Sequence, residues 1–126
     1  MHVILATGDK TRLVEVAQGI EPSGAAIDWV TSGQAVLETI VANPVDLVVA
    51  DEDLGDMPGL ALVKQLVRTN PLINCALVSS LTPGEYHEAS EGLGILMQLP
   101  PDPSIAEGQQ LMARMNQILG ISVTNG

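Results

Sequence analysis

The chain has 126 residues, which is the length of one domain and is enough to bury a core without metals or disulfides. Its formal net charge of −10 disfavours direct binding to nucleic acid, and no apolar run approaches the ~18 residues that a membrane span needs. Aromatic residues make up only 2% of the chain, so the core must be aliphatic.

Apolar runs alternate with amphipathic stretches along the chain. The apolar runs predict five strands, at residues 3–6, 25–30, 45–51, 74–79 and 95–98. The stretches between them predict five helices, which begin near residues 10, 32, 58, 81 and 102. The fourth helix has the weakest periodicity, whereas the capping-box spacing of Ser104 and Glu107 marks the start of the last helix.

Three of these helices have apolar positions spaced for one buried face. In the second helix the predicted buried positions are Val36, Leu37, Ile40 and Val41. In the third helix they are Leu60, Val63, Leu66 and Val67. In the last helix they are Ile105, Leu111, Met112, Met115, Ile118 and Leu119.

Alternating strands and helices with short connections predict an α/β fold, a doubly wound five-stranded parallel sheet with helices on both faces. We assign residues 1–120 to this one domain and residues 121–126 to a disordered tail or the start of a linker. The single cysteine, Cys75, lies in a predicted strand, which favours a buried and inert thiol. No charged-then-apolar leader precedes the first strand, so we expect a cytoplasmic protein.

The third predicted strand ends in Asp51 and then breaks into a loop rich in Asp, Gly and Pro. Ligands of open α/β sheets collect at this carboxyl edge, so we expect Asp51 to face solvent there, with Ser79 across from it. The cluster of Asp51, Glu52, Asp53 and Asp56 could hold a cation. The alternatives are that Asp51 only caps the strand end and that Ser79 only satisfies loop backbone groups.

Four features in this order resemble the receiver domain of two-component response regulators, over nearly the whole chain. They are Asp51 at the end of the third strand, Met57-Pro58-Gly59-Leu60 opening the next helix, Ser79 ending the fourth strand, and Pro100 after the fifth. The resemblance implies the strand order 2-1-3-4-5 and a flavodoxin-like three-layer sandwich. It also implies that Asp51 accepts a phosphoryl group and that the Ser79 hydroxyl bonds the new phosphate.

A carboxylate can form an acyl phosphate with a phosphodonor, provided that positive charge stabilises the transferring group. Mg²⁺ usually supplies that charge, held by one or two carboxylates and waters. The candidate metal ligands are Asp51, Asp53 and Asp9. The alternatives are that Asp9 caps the first helix and that Asp53 is a solvated loop carboxylate.

The chain also departs from the receiver pattern. The acidic pair that follows the first strand in receivers falls on Ala6-Thr7 or Thr7-Gly8, and neither pair is acidic. Leu99 replaces the lysine before Pro100, at a cost to phosphotransfer on the order of 2–3 kcal/mol. Leu96 replaces the aromatic switch residue. The resemblance further implies a cis bond at Leu99-Pro100, although trans is the statistical default.

Two functions therefore compete. The first is a bacterial receiver domain that accepts a phosphoryl group on Asp51 from a histidine kinase or a phosphotransfer protein. It would then switch contacts with an effector domain or partner protein through the fourth helix, fifth strand and fifth helix. Its enzymatic activity would at most be self-phosphorylation and dephosphorylation. The resemblance also allows a homodimer, and we expect no membrane partner.

The second is a pseudo-receiver that transfers nothing and binds a partner constitutively. The missing acidic pair and Leu99 favour it. A flavodoxin-like cofactor binder is a weaker third hypothesis, because no phosphate-binding loop follows the first strand and only Trp29 and Tyr86 could stack on a ring.

Overall fold

Five parallel strands form one sheet in a computed structural model that describes residues 1–120. Residues 121–126, predicted as a tail or linker, lie outside the described residues. The strands are β1 His2–Ala6, β2 Ala26–Val30, β3 Leu47–Ala50, β4 Asn74–Val78 and β5 Met97–Leu99. Their order is β2-β1-β3-β4-β5 and every neighbouring pair is parallel, which confirms the predicted flavodoxin-like sandwich.

Within residues 1–120, four α-helices connect consecutive strands and a fifth follows β5, and together they cover both faces of the sheet. They are α1 Val14–Ile20, α2 Gly33–Ala42, α3 Gly59–Thr69, α4 Pro83–Ser90 and α5 Ile105–Ile118. The longest of them, α5, has 14 residues, so within residues 1–120 no helix is long and apolar enough to cross a bilayer.

The predicted first helix is divided in the structure. A short 3₁₀ turn spans Lys10–Arg12, and α1 begins only at Val14. Asp9 caps the turn, since its carboxylate accepts hydrogen bonds from the Thr11 backbone N–H and hydroxyl at 3.0 and 2.6 Å. Leu13 follows with φ −119° and ψ 7°, which interrupts the helix. This break places Arg12 at the carboxyl edge of the sheet.

Alternation along each strand sends side chains to two separate cores. On one face, Leu5 and Val49 pack with α1 and α5; on the other, Ile4 and Val48 pack with α2 and α3. Cys75 is buried in the second core, and burial raises the pKa of its thiol to about 12, as expected for an inert cysteine.

Helices α1 and α5 cross at two glycines. A Cβ atom at Gly19 would overlap the Ile105 carbonyl oxygen, and one at Gly108 would overlap the Val16 carbonyl oxygen. The two backbones therefore approach more closely than any other residue type would permit.

Some predicted buried positions are wrong. In α2, Val36 is buried but Val41 is 83% exposed, because it lies in the last turn and faces away from the sheet. In α5, Leu111, Met112 and Met115 are buried as predicted, whereas three residues are exposed: Ile105, Ile118 and Leu119. Helix α5 is about 21 Å long, whereas the longest strands, of five residues, are about 17 Å, so the ends of α5 extend past the core.

The fifth strand also begins later than predicted. Gly92 and Gly94 both have positive φ, at 80° and 65°, and this turn delays the strand to Met97. The peptide bond between Leu99 and Pro100 is trans, so the cis bond implied by the resemblance is wrong.

Candidate functional site

Asp51 lies directly after β3, at the carboxyl edge of the sheet. Its backbone N–H donates to the Ala6 carbonyl oxygen at 2.9 Å, which continues the pairing of β3 with β1. The expectation that it faces solvent is wrong, because the residue is only 2% exposed. Burial of a carboxylate requires partners for its charge and its lone pairs, and the neighbouring loop supplies them.

Three donors surround the Asp51 carboxylate. Arg12 Nε and Thr7 Oγ1 both donate to Oδ2 at 2.7 Å, and the Glu52 backbone N–H donates to Oδ1 at 2.8 Å. The Arg12 side chain is 38% exposed and also reaches the Pro101 carbonyl oxygen at 3.4 Å. Its hydrogen bond and charge interaction with Asp51 raise the pKa of Arg12. The carboxylate is therefore already neutralised by a residue of the chain.

The sequence interpretation missed Arg12. The apolar pattern places Arg12 in a helix with no role, although the expected strand order makes β1 and β3 neighbours. The loop after β1 must then lie beside Asp51, and Arg12 follows that loop by a few residues. A basic residue at this spacing was the signal that could have identified it.

Thr7 occupies one of the positions where receivers carry acidic residues. It is 2% exposed, and its hydroxyl accepts from the Asp9 backbone N–H at 3.0 Å while donating to Asp51. A hydroxyl here hydrogen-bonds the buried carboxylate, whereas a second acid would repel it.

Asp9 and Asp53 lie near Asp51 but have separate hydrogen bonds. With Gly8, Arg12 and Glu52 they line a cavity of about 390 Å³ beside Asp51. The Asp9 carboxylate bonds the Thr11 hydroxyl and N–H, which lowers its pKa, and Asp53 Oδ1 accepts from the Gly55 N–H at 2.9 Å. Their metal-binding role stays a prediction.

The other acids of the β3–α3 loop connect it to further loops. Glu52 Oε2 accepts from both the backbone N–H and the hydroxyl of Ser80 at 2.8 Å. Asp56 accepts from the backbone N–H groups of Gln34 and Gly33, each at 2.9 Å, and these bonds lower its pKa. The acidic cluster that the sequence indicated is thus used for internal hydrogen bonds.

Ser79 is buried at the end of β4, but no hydrogen bond between it and Asp51 occurs among the described residues. Its Oγ accepts from the Leu81 N–H at 3.1 Å. On β5, Gln98 Nε2 reaches the Leu81 carbonyl oxygen at 3.2 Å, and Leu99 is fully buried. The residue before Pro100 therefore brings no positive charge to the site.

The motif that opens α3 has a packing function. Pro58 is the N-cap residue, and the Gly59 N–H donates to the Glu52 carbonyl oxygen at 2.9 Å. A Cβ atom at Gly59 would overlap the Asp51 carbonyl oxygen. Only glycine allows α3 to begin this close to the end of β3.

The residues at this edge do not fit a Mg²⁺ site. Mg²⁺ needs only one or two carboxylates with waters in near-octahedral geometry, but the carboxylates of Asp51, Asp9 and Asp53 each already accept hydrogen bonds from the chain. In the described part of the chain no larger group of acidic, histidine or cysteine side chains converges to hold a metal. Asp51 Oδ2 instead faces the Arg12 guanidinium. This geometry does not favour Mg²⁺ binding, which stays a prediction.

The sequence profile of the response regulator receiver domain matches residues 3–100. The chain belongs to this family. A sequence comparison with functionally curated proteins gives no match. Receiver domains interact with kinases and effector partners.

Solved receiver structures share the fold at low sequence identity. The receiver domain of response regulator 1452 from Francisella is 22% identical, with a TM-score of 0.81, and the match covers 94% of this chain and 98% of that one. A CheY-like receiver from Methanospirillum hungatei is 16% identical, with a TM-score of 0.80 and coverage of 96% and 98%.

A third similar structure comes from a family of redox sensors in the streptococci that evolved from two-component response regulators. It is 17% identical with a TM-score of 0.78, and the match covers 95% of this chain and 53% of that one. At these identities the comparison establishes the fold alone.

Proposed function

We propose that this protein is a pseudo-receiver, a receiver domain that transfers no phosphoryl group and acts as a constitutive protein-interaction module. The observation that carries the proposal is the ion pair at 2.7 Å between Oδ2 of the buried Asp51 and Nε of the partly exposed Arg12. The partner is an effector domain or another protein in the cytoplasm. Nucleic acid is a poor partner for a chain with a net charge of −10.

Phosphorylation of Asp51 would require one carboxylate oxygen to attack a phosphodonor. Oδ2 already accepts from Arg12 and Thr7, so attack through Oδ2 requires one of them to withdraw. Oδ1 accepts only the Glu52 N–H, but the residue is 2% exposed, which restricts access of a phosphodonor to that oxygen. Breaking a buried ion pair costs on the order of 3–5 kcal/mol, and the partial exposure of Arg12 reduces this to about 2 kcal/mol. A barrier raised by that amount slows the reaction by roughly thirtyfold.

The absence of the receiver lysine and of the acidic pair also hinders phosphoryl transfer. Leu99 provides no cation for the phosphoryl oxygens, and Thr7 provides no carboxylate for a metal. The transition state would gather negative charge without the stabilisation that phosphoryl transfer requires. These deficits support an interaction function over phosphotransfer.

The direct test is phosphoryl transfer itself. The wild-type protein is incubated with acetyl phosphate, or with beryllofluoride, at millimolar Mg²⁺ beside a receiver that is known to label. We expect no label on the wild type and an amide NMR spectrum that the phosphodonor leaves unchanged. Label that is present on the wild type and absent from Asp51→Asn would contradict the proposal.

A second measurement tests the interaction function. Asp51→Asn keeps an oxygen for Thr7 but removes the charge. Once a partner protein is identified, we expect the folded variant to bind it as tightly as the wild type does. Binding that depends on a phosphodonor or on the Asp51 charge would indicate a phosphorylation-dependent switch.

One observation favours the second candidate, a phosphoryl-accepting receiver. The cavity of about 390 Å³ beside Asp51 has room for a phosphodonor, and Asp9 and Asp53 line it. In that case a histidine kinase or phosphotransfer protein would be the partner, with Mg²⁺ as cofactor. Transfer that appears only in Arg12→Met would show that Arg12 alone suppresses this activity.

A further inference from the structure

A second cavity is lined by residues of α4 and of the loops after β3 and β4. Its volume is about 170 Å³, and we call it the α4 cavity. Apolar side chains form most of its wall: Pro58, Leu60, Leu77, Leu81 and Ala89. Three hydroxyl-bearing residues, Ser79, Tyr86 and Ser90, also line it, and the Ser90 hydroxyl already donates to the Tyr86 carbonyl oxygen at 2.7 Å.

The Tyr86 hydroxyl is the unusual group at this cavity. Its oxygen is buried and has no hydrogen-bond partner among residues 1–120. Burial also raises the pKa of Tyr86, so the phenol is neutral at physiological pH. A buried hydroxyl without a partner costs about 1–3 kcal/mol, and proteins satisfy nearly all such groups. A bound molecule that hydrogen-bonds it would recover this energy.

The Ser79 hydroxyl has unused capacity as well. Its oxygen accepts one hydrogen bond, from the Leu81 N–H at 3.1 Å. Its proton has no acceptor in the described part of the chain. An apolar cavity with two such hydroxyls resembles small-molecule sites, in which a few polar groups orient a mainly apolar ligand.

The volume indicates the size of that ligand. Apolar protein cavities of about 150 Å³ bind benzene, so about 170 Å³ holds one six-membered ring with a small substituent. Glu52 also lines the cavity, and the net charge of the chain is −10, so both disfavour an anion.

Helix α4 can adjust to admit such a molecule. None of its eight residues is fully buried. Its N-terminus is fixed by Thr82 and Glu85, which form a capping box, but the rest of the helix has little apolar contact to lose.

We propose that the α4 cavity binds a neutral, single-ring aromatic molecule with one hydrogen-bonding group, of the phenol class, which pairs with the Tyr86 hydroxyl. This site is separate from Asp51. Its occupation would change the position of α4 without any phosphoryl chemistry.

The test uses phenol as the probe and amide NMR as the readout on the full chain. We expect saturable shifts at residues 79–81 and 86–90. Ala89→Leu fills the cavity and should abolish them, whereas Glu88→Leu adds the same side chain at an exposed position and should not. Tyr86→Phe should bind phenol about fivefold more weakly, which corresponds to one lost hydrogen bond.

Three results would overturn the proposal. They are shifts confined to other parts of the chain, equal binding by Ala89→Leu and the wild type, and equal affinity of Tyr86→Phe and the wild type. Toluene supplies a further test, because a site that reads the hydroxyl should bind toluene more weakly than phenol. If toluene binds equally well, the cavity is merely apolar and the proposed specificity is wrong.

Discussion

Two parts of this molecule differ in how firmly their helices are held. Around β1, helices α1 and α5 meet backbone to backbone at Gly19 and Gly108. On the opposite face α4 has no fully buried residue and lies over a cavity of about 170 Å³. The first part has no space to adjust, whereas the second has both space and an unsatisfied hydroxyl.

The difference indicates a division of tasks. The part built from β1, α1 and α5 also contains Arg12 and His2, so its packing is reinforced by ionic contacts at both ends of β1. Adaptability is concentrated at α4, where contacts with a partner or ligand can change without loss of the core. Four substitutions test the contrast between the tightly packed part around β1 and the adaptable α4.

The largest effect is expected at the crossing of α1 and α5. Gly108→Ala places a Cβ atom on the Val16 carbonyl oxygen, so the helices must separate and the free energy of unfolding should fall by about 3 kcal/mol. Gly84→Ala in α4 is the matched control, because nothing lies within 4 Å of its added Cβ atom. It should be neutral or raise stability by about 0.4–1 kcal/mol. Equal losses for both in urea denaturation would refute the contrast.

The next effect is expected at the carboxyl edge. Arg12→Met keeps the length of the side chain but leaves the buried Asp51 carboxylate without its cation, which should cost about 2 kcal/mol. Arg68→Met removes an exposed arginine from the last turn of α3 and should change stability by less than about 0.5 kcal/mol. If the two variants unfold at the same urea concentration, the ion pair does not hold Asp51 in place.

A smaller, pH-dependent effect is expected at the other end of β1. His2 Nδ1 lies 2.8 Å from the Pro44 carbonyl oxygen and Nε2 lies 2.6 Å from Asp28 Oδ2, so both ring nitrogens face acceptors. Burial alone would lower the pKa of His2, but the bond to Pro44 and the charges of Asp28 and Asp46 raise it. The protonated ring is therefore the form that the fold favours.

Because the folded-state pKa is raised, this contribution is fully present below the unfolded pKa and is lost as pH rises through the folded one. The wild type should lose its advantage over His2→Gln as the pH rises above about 6.5, the pKa of an unperturbed histidine. The difference should stay below about 1 kcal/mol, since Asp28 is largely exposed. If the difference in unfolding free energy between the wild type and His2→Gln, measured by urea denaturation, does not change with pH, the protonated His2 ring does not stabilise the fold.

The smallest effect is expected at Tyr86. Tyr86→Phe removes a hydroxyl that has no partner among the described residues, so stability should change by less than about 0.5 kcal/mol or increase. Chemical denaturation measures this directly. A loss above about 1 kcal/mol would mean that the hydroxyl is hydrogen-bonded in solution, and the α4 cavity would then lack its polar anchor.

The fold could be predicted from the sequence because the spacing of apolar residues and the capping and turn residues act through local interactions. Strand and helix alternation, the caps at Asp9 and Ser104, and the motif before Leu60 all depend on neighbouring residues. The capping box of Thr82 and Glu85 was an available signal for α4 that the weak apolar pattern obscured.

Contacts between distant residues could not be predicted in the same way. Arg12 and Asp51 are 39 positions apart, and their pairing depends on where a 3₁₀ turn ends. The exposure of Val41 and Ile118 depends on where the core stops along each helix. Helical periodicity gives the direction of a side chain but not the extent of the layer beneath it.

The ion pair with Arg12 makes Asp51 important for the stability of the fold, independently of any catalytic role. If phosphotransfer is lost from a receiver with this ion pair, selection for folding still favours an acid at this position. Replacement of the acid would leave the arginine and the threonine without their hydrogen-bond acceptor. A genomic survey that sorts receivers by this aspartate alone would not distinguish the chains in which an arginine already pairs with it. Adding an arginine in the loop after the first strand as a second criterion would separate those chains.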